Sequence, residues 1–96
     1  STIWVMYGSA DHDDRVFEDP EGFNPDRESL NSHIAFGHGI HFCLGAALAR
    51  LEAVTALKVM AARLDTIKVV EPDSLRYGSS FILRGLQGLE LELTYQ

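Results

Sequence analysis

The chain has 96 residues, a formal net charge of −6 and a mean hydropathy of −0.02, which fits one small domain at most. The acidic balance offers no basic surface for nucleic acid, and the single cysteine excludes an internal disulfide framework. No window is apolar over the ~18 residues that a membrane span needs and no signal peptide is visible, so we expect a cytoplasmic protein without a membrane partner.

The first part of the chain combines a strand-like run with a long irregular stretch. The β-branched and aromatic run TIWVMY predicts a strand over residues 1–8 that ends at Gly8. Because the chain opens in this element without a methionine, we expect it to be a piece of a longer protein. Residues 9–35 are rich in Asp, Asn and Pro and show no sustained period. A stretch of this kind is usually functional or disordered, and a solvated loop is its simplest interpretation.

The ten-residue stretch 36–45, FGHGIHFCLG, holds the only cysteine, Cys43. The thiolate is the form of cysteine that ligates metals, and the N-terminus of a helix predicted to begin at Ala46 favours that anion. Gly37 and Gly39 allow a positive φ and a close approach of the backbone to a planar ring. These features suit a haem iron that is held by a thiolate.

Two further side chains support a haem site. Phe36 is expected to shield the sulfur from water. His41 lies two residues from Cys43, on the same side of a segment that we expect to be extended, where it suits an anionic haem propionate. Backbone amides of such a tight loop can point at the sulfur and tune the centre.

Residues 46–64 predict one long helix, since they are rich in alanine and contain no glycine or proline. Apolar side chains fall around most of its circumference, which is typical of a helix inside a larger protein. No second long helix is present to cover it. Beyond it, Ile67–Val70 predicts a strand, 71–73 a turn, and the alternating run 89–95 a half-buried strand of an antiparallel sheet.

The cysteine stretch resembles the haem-ligand loop of the cytochrome P450 family, the haem-thiolate monooxygenases. The pattern F-x-x-G-x-[HR]-x-C-x-G is matched by Phe36, Gly39, His41, Cys43 and Gly45. Histidine at its sixth position and the following AALAR resemble the soluble bacterial type. The resemblance implies the mainly α, multihelical P450 fold, of which this chain is the C-terminal portion: strand 1–8, meander 9–35, cysteine loop 36–45, proximal helix 46–64 and β-hairpins 65–96.

The resemblance also implies a cofactor and an activity. The cofactor is haem b, iron protoporphyrin IX, with the Cys43 thiolate as axial ligand. The full-length enzyme is expected to activate O₂ and hydroxylate a small hydrophobic organic substrate, with electrons from NAD(P)H delivered by a ferredoxin-type or reductase partner. The cofactor contacts implied by the motif are Phe36, Gly37, His41, Cys43, Leu44, Gly45 and Ala49.

The meander carries a second motif of the family. Residues 23–27, FNPDR, match its F-x-P-x-R, in which the arginine completes a buried Glu–Arg–Arg cluster with an ExxR pair on an earlier helix. No ExxR precedes Arg27 here, so an exposed loop arginine is the alternative. Residues 9–13 resemble the family's Ala-Asn-Arg-Asp run, from which Asp11 and His12 depart.

Three more residues acquire roles through the resemblance. Arg50 matches a basic position on the face that meets an acidic redox partner, with an ordinary surface arginine as the alternative. The run FILRGLQGL resembles the C-terminal hairpin that reaches the substrate pocket, so Ile82 and Leu83 are expected to touch substrate. Plain core packing is the alternative for both.

Other classes of function stay open at this point. His33, His38, His41 and Cys43 could form a structural zinc site, although their spacing fits short zinc-binding arms poorly. Cys43 could be the nucleophile of a hydrolase, which alkylation of the holoprotein would test. An isomerase or peroxygenase would share the same loop. The 96-residue chain alone is expected to be an inactive fragment that needs the missing N-terminal part of the same protein.

Overall fold

The structure, a computed structural model, describes residues 1–80 and 82–96. Phe81, part of the predicted C-terminal hairpin, lies outside the described residues. The chain divides into two units, Ser1–Ala49 and Arg50–Gln96, which are described separately below. The regular elements are the helices α1 (Tyr7–Ala10) and α2 (Ala46–Arg63), the strands β1 (Leu64–Val69) and β2 (Leu91–Tyr95), and 3₁₀ turns at Leu30–Ser32, Gly39–His41 and Pro72–Ser74.

Helix α2 is the long helix that the alanine-rich run predicts. It begins three residues after Cys43, and the amide of Ala46 donates to the Cys43 carbonyl oxygen at 3.2 Å. Its predicted last residue, Leu64, instead begins β1. Leu51 and Leu57 are each 63% exposed, as expected of a helix whose apolar side chains need more protein around them than this chain supplies.

The predicted antiparallel pairing is confirmed in the second unit, where β1 pairs with β2. Strand β2 begins at Leu91 rather than at residue 89, and only Leu91 of its side chains is partly buried, so the expected half-buried face is not formed within this chain. Asp65 and Thr66, which we expected to lie outside the strand, belong to β1. A β-bulge between Leu64 and Thr66 accommodates Asp65, and the hydroxyls of Thr66 and Thr94 lie 2.7 Å apart across the pair. The sequence pattern predicts a strand only over Ile67–Val70. The contact between the two threonines extends the strand pairing toward its N-terminal side.

A second antiparallel pairing precedes β2. Tyr77 bridges Leu86, the amide of Gly78 donates to the Gly85 carbonyl oxygen at 2.9 Å, and that of Gln87 donates to the Arg76 carbonyl oxygen at 3.0 Å. The guanidinium carbon of Arg84 lies 4.5 Å from the ring centroid of Tyr77, on the same pair of segments. These contacts form the hairpin that the C-terminal run predicts.

The strand predicted over residues 1–8 is wrong. Residues 1–6 adopt no regular secondary structure, and Tyr7–Ala10 forms α1. The amides of Ala10 and Asp11 donate to the carbonyl oxygens of Met6 and Tyr7 at 3.0 and 2.9 Å, which closes a helical turn. A β-rich composition makes a strand only where a neighbouring strand accepts its hydrogen bonds, and both described strands of this chain pair with each other.

The first unit is otherwise built from turns, as the composition of the meander predicts. Its buried side chains are those of Phe17, 5% exposed, and Ala46, 2% exposed. The sequence analysis did not single out Phe17, because an isolated phenylalanine among acidic residues shows no periodicity. Among the described helices, none is long and apolar enough to span a membrane.

Candidate functional site

The cysteine loop is a closed turn whose shape depends on glycine. Gly37 and Gly39 have φ values of +76° and +69°, as the motif predicts. The amide of Gly37 donates to the Ile34 carbonyl oxygen at 2.7 Å, and the amide of Cys43 donates to the Phe36 carbonyl oxygen at 2.8 Å. The second bond brings the two ends of the loop together and holds Cys43 beside Phe36.

The sulfur of Cys43 is accessible and lies near the first turn of α2. Cys43 is exposed and unpaired with another cysteine, and a Cβ built on Gly45 would lie 3.9 Å from its Sγ. The amide of Ala49 donates to the Gly45 carbonyl oxygen at 2.9 Å, so Gly45 already takes part in the first helical turn. The dipole of α2 favours negative charge near its N-terminus.

Apolar side chains surround the cysteine in sequence and remain exposed. Leu44 is fully exposed, Ile40 is 98% exposed and Phe42 is half exposed. Phe36 is partly buried, with its ring centroid 6.2 Å from that of His33 and 6.5 Å from that of Phe42. An accessible thiol beside exposed apolar side chains, on a loop with glycine at two positive-φ positions, fits a large, flat and mainly apolar group such as haem.

The expectation that His41 lies on an extended segment is wrong. Gly39–His41 forms a 3₁₀ turn, closed by the Phe42 amide, which donates to the Gly39 carbonyl oxygen at 3.1 Å. The positive φ of Gly39 starts this turn, so strand alternation does not determine the side on which His41 lies. His41 is exposed, and its role toward a propionate stays a prediction.

Several amides within and next to the cysteine loop are engaged with carbonyl oxygens. Those of Phe42, Cys43 and Ala46 donate to Gly39, Phe36 and Cys43, respectively. These three amides are therefore not the donors that we expected at the sulfur.

Arg27 is held by the meander itself. Its Nη2 donates to the carbonyl oxygens of Asp19 and Gly22 at 3.0 and 2.7 Å, and its Nη1 donates to that of Glu18. The alternative of an ordinary exposed loop arginine is wrong, because the side chain is partly buried and fixes one turn of backbone. These bonds use Nη1 and Nη2, and the place of Arg27 in a Glu–Arg–Arg cluster stays a prediction.

The remaining predicted residues lie in the second unit. Arg50 is exposed on α2, as a position that meets a partner must be. Ile82 and Leu83 are 80% and 74% exposed, and their amides donate to the Ser80 Oγ at 3.3 and 3.0 Å. Core packing within this chain is therefore not their role. Their contact with substrate stays a prediction.

The structure adds residues that the sequence analysis did not identify. The Oδ1 of Asp11 accepts the amide hydrogen of Ile34 at 2.8 Å, and the hydroxyl of Tyr7 lies 3.8 Å from where a Cβ on Gly37 would be. Both contacts join α1 to the start of the cysteine loop. The sequence shows that Asp11 departs from the family's asparagine, which could have drawn attention to this position. Nothing in the sequence indicated that Ile34 is its partner.

A charged pair lies next to this contact. Arg15 donates from Nε and Nη2 to the carboxylate of Asp13 at 2.8 and 2.5 Å, and these hydrogen bonds lower the pKa of Asp13 to about 2. The pair lies at the surface, with the Arg15 side chain 84% and the Asp13 side chain 24% exposed, and belongs to the meander rather than to the cysteine loop.

The described residues give no support to the zinc alternative. Within 1–80 and 82–96, no three His, Cys, Asp or Glu side chains lie close enough together to hold a metal ion.

Comparison with known proteins identifies the family. The cytochrome P450 family model matches residues 1–75. The chain is 48% identical over 88 residues to cytochrome P450 107B1 of Saccharopolyspora erythraea, covering 91% of this chain and 22% of that protein. It is 40% identical over 94 residues to the beta-dihydromenaquinone-9 omega-hydroxylase of Mycobacterium tuberculosis, covering 98% of this chain and 19% of that protein.

The fold agrees with this match. The structure of substrate-free cytochrome P450 CYP150A6 from Mycobacterium marinum superposes with a TM-score of 0.86 at 35% identity, covering 94% of this chain and 24% of that one. The chain belongs to the cytochrome P450 family. It spans about a fifth to a quarter of the length of these relatives.

Proposed function

We propose that this chain is the C-terminal, haem-binding portion of a cytochrome P450 monooxygenase in which Cys43 supplies the axial thiolate to haem b. The observation that carries the proposal is the accessible Cys43 sulfur at the N-terminus of α2, on a loop shaped by Gly37 and Gly39. Thiolate chemistry needs this combination of access, a helix N-terminus and a close backbone.

Each residue of the loop has a separate task in this proposal. The glycines let the backbone lie close to the ring, Phe36 and Leu44 exclude water, and His41 pairs with a propionate. Ala49, in the first turn of α2, leaves room for the macrocycle. When bound, the haem supplies O₂ activation, and thiolate ligation favours O–O cleavage.

The activity of the full-length protein follows from the same assignment. We infer hydroxylation of a small hydrophobic organic substrate, in part because a relative at 40% identity is named an omega-hydroxylase. Ile82 and Leu83 are proposed to touch the substrate, and the Arg50 face to receive a ferredoxin-type or reductase partner that delivers electrons from NAD(P)H. A cytoplasmic location is consistent with this role.

The exposed apolar side chains of α2 indicate why the chain alone is proposed to be inactive. In the relatives, about three quarters or more of the protein lies outside the matched region. We propose that the N-terminal part of the same protein covers α2, supplies the ExxR partner of Arg27 and completes the substrate pocket.

A reduced carbon monoxide difference spectrum of the full-length protein tests the proposal. The wild type is expected to show the strongly red-shifted Soret band of thiolate ligation, and Cys43→Ser is expected to lose it while a Ser9→Ala control retains it. Haem content by pyridine haemochromogen verifies equal loading. A wild type that refuses haemin, or a Cys43→Ser variant that keeps the band, would remove the assignment.

A further inference from the structure

The start of the cysteine loop is anchored by a residue that lies far from it in sequence. Asp11, the residue that follows α1, accepts the amide hydrogen of Ile34 on its Oδ1 at 2.8 Å. Both residues are partly buried. A carboxylate that accepts a backbone amide makes a charge-assisted bond, which is stronger than the bond between two neutral groups. The bond spans 23 residues of sequence.

This bond is the first of a short series that ends at the ligand. The carbonyl oxygen of Ile34 accepts the amide of Gly37 at 2.7 Å, which fixes the turn where φ becomes positive. Phe36, inside that turn, then accepts the amide of Cys43 at 2.8 Å. The Gly37 amide and the Phe36 carbonyl belong to the same peptide unit, so the bond to Ile34 restrains the group that accepts from Cys43.

A second contact from α1 reaches the same turn. The Tyr7 hydroxyl lies 3.8 Å from the position that a Cβ on Gly37 would occupy. The Asp11 amide in turn donates to the Tyr7 carbonyl oxygen at 2.9 Å, so these two residues are held together by the helical turn of α1. Tyr7 in α1 and Asp11 directly after it thus both lie beside residues 34–37, where the chain enters the cysteine loop.

We propose that Asp11 is a positioning residue for Cys43: through its hydrogen bond to Ile34 it holds the loop in the shape that presents the sulfur to the haem iron. The inference rests on the proposed function, since it assigns the sulfur a haem to ligate. Asp11 touches neither the sulfur nor the cofactor in this account. Its effect is on the fraction of protein in which the thiolate remains bound.

Two substitutions and a matched control test the role in the full-length, haem-loaded protein. Asp11→Ala removes the acceptor, and Asp11→Asn keeps an oxygen there. Asp14→Ala, in the same stretch and exposed, makes the same change in charge. The readouts are hydrogen exchange of the Ile34 and Gly37 amides and the fraction of reduced, carbon monoxide-bound protein that shows the thiolate-type Soret band.

Asp11→Ala is expected to speed exchange at Ile34 by about tenfold or more, the effect of losing one bond to a charged group. It should lower the thiolate-ligated fraction, with Asp11→Asn and Asp14→Ala close to wild type. Equal thiolate-ligated fractions in Asp11→Ala and Asp14→Ala would overturn the proposal. So would an Asp11→Asn variant with the same thiolate-ligated fraction as Asp11→Ala. If Asp11→Ala does not fold, the proposal is tested by Asp11→Asn and by hydrogen exchange in the wild type. An Ile34 amide that is unprotected from exchange in the wild type would also overturn the proposal.

The two proposals fail in different ways. A wild type without the thiolate band removes the assignment of Cys43 but leaves the exchange of Ile34 as a measure of the anchor. A wild type with the band and an insensitive Asp11→Ala variant removes only the positioning role.

Discussion

The amide of Cys43 donates a 2.8 Å hydrogen bond to the carbonyl oxygen of Phe36, so the two ends of the cysteine loop are joined by a main-chain bond. The motif's fixed Phe and Cys positions are therefore linked through their backbones as well as by their proposed roles at the sulfur. A backbone link does not depend on side-chain identity. What it does need is a chain that can reverse direction between these residues, and Gly37 and Gly39 provide that reversal.

Replacing Gly37 by alanine should strain the loop. Its φ is +76°, and an added Cβ would lie 3.5 Å from the His41 carbonyl oxygen, which is ordinary contact, so the cost comes from the dihedral angle. A left-handed alanine costs about 1–2 kcal/mol. We expect Gly37→Ala to lower the free energy of unfolding by about that amount and to speed haem loss, measured by urea titration and by transfer of haem to an apo-acceptor protein.

Gly39 and Gly8 provide the comparison for that prediction. Gly39 has a φ of +69° with open space around it, so Gly39→Ala should show the dihedral cost alone. Gly8 lies in α1 with no positive φ and nothing within 4 Å of an added Cβ, so Gly8→Ala should be neutral or slightly stabilising. Equal behaviour of all three variants would contradict the explanation.

Arg27→Lys should destabilise the meander although it preserves charge. The guanidinium donates to three carbonyl oxygens, at Glu18, Asp19 and Gly22, and an ammonium group cannot span the same set. We expect a loss of about 1.5–3 kcal/mol in the free energy of unfolding. Arg15→Lys is the matched control, since Arg15 is 84% exposed and is expected to change stability by less than about 0.5 kcal/mol. An Arg27→Lys variant with an unchanged free energy of unfolding would show that these bonds are not formed in solution.

The long helix and the terminal antiparallel strand were predictable because each depends on a local pattern. Alanine-rich sequence without glycine or proline forms α2, and the last five residues of the alternating run LELELTY form β2. The two positive-φ glycines of the cysteine loop were predictable too, since few other residues adopt that conformation. In each case the information lies within a few residues of the feature that it determines.

The errors concern features that depend on distant partners. The strand-like run at 1–8 has no neighbour to pair with among the described residues, and its end forms α1. Asp65 and Thr66 join β1 because Thr94 lies opposite, 28 residues later. The bond between Asp11 and Ile34 spans 23 residues and leaves no periodic trace in the sequence. Periodicity and composition describe neighbouring residues, so they give no information about such distant pairs.

The ion pair of Asp13 and Arg15 gives a defined pH dependence. Hydrogen bonds from Arg15 lower the pKa of Asp13 from 3.8 to about 2, so the native state holds the proton less tightly than the unfolded state. The pair therefore stabilises the fold above the ordinary carboxyl pKa, and this contribution is lost as the pH falls through about 2. Carboxyl ¹³C titration should report that pKa, and Arg15→Ala should return it toward 3.8. The stability effect should be small, because the pair is exposed. An unchanged pKa in the variant would contradict this cause.

Gln96 should stabilise the end of α2. Its amide donates to the Arg63 carbonyl oxygen at 3.1 Å, and its Nε2 donates to those of Ala61 and Leu64 at 3.3 and 3.1 Å. The last carbonyls of a helix need external donors, so Gln96→Ala should cost about 0.5–1.5 kcal/mol in urea unfolding. Gln96→Glu should cost more, because a carboxylate cannot donate and is repelled by the helix C-terminus, whereas Gln96→Lys should retain most of the stability. If the Gln96→Glu variant is as stable as the Gln96→Lys variant, the carbonyl oxygens at the helix end are hydrogen-bonded to water instead.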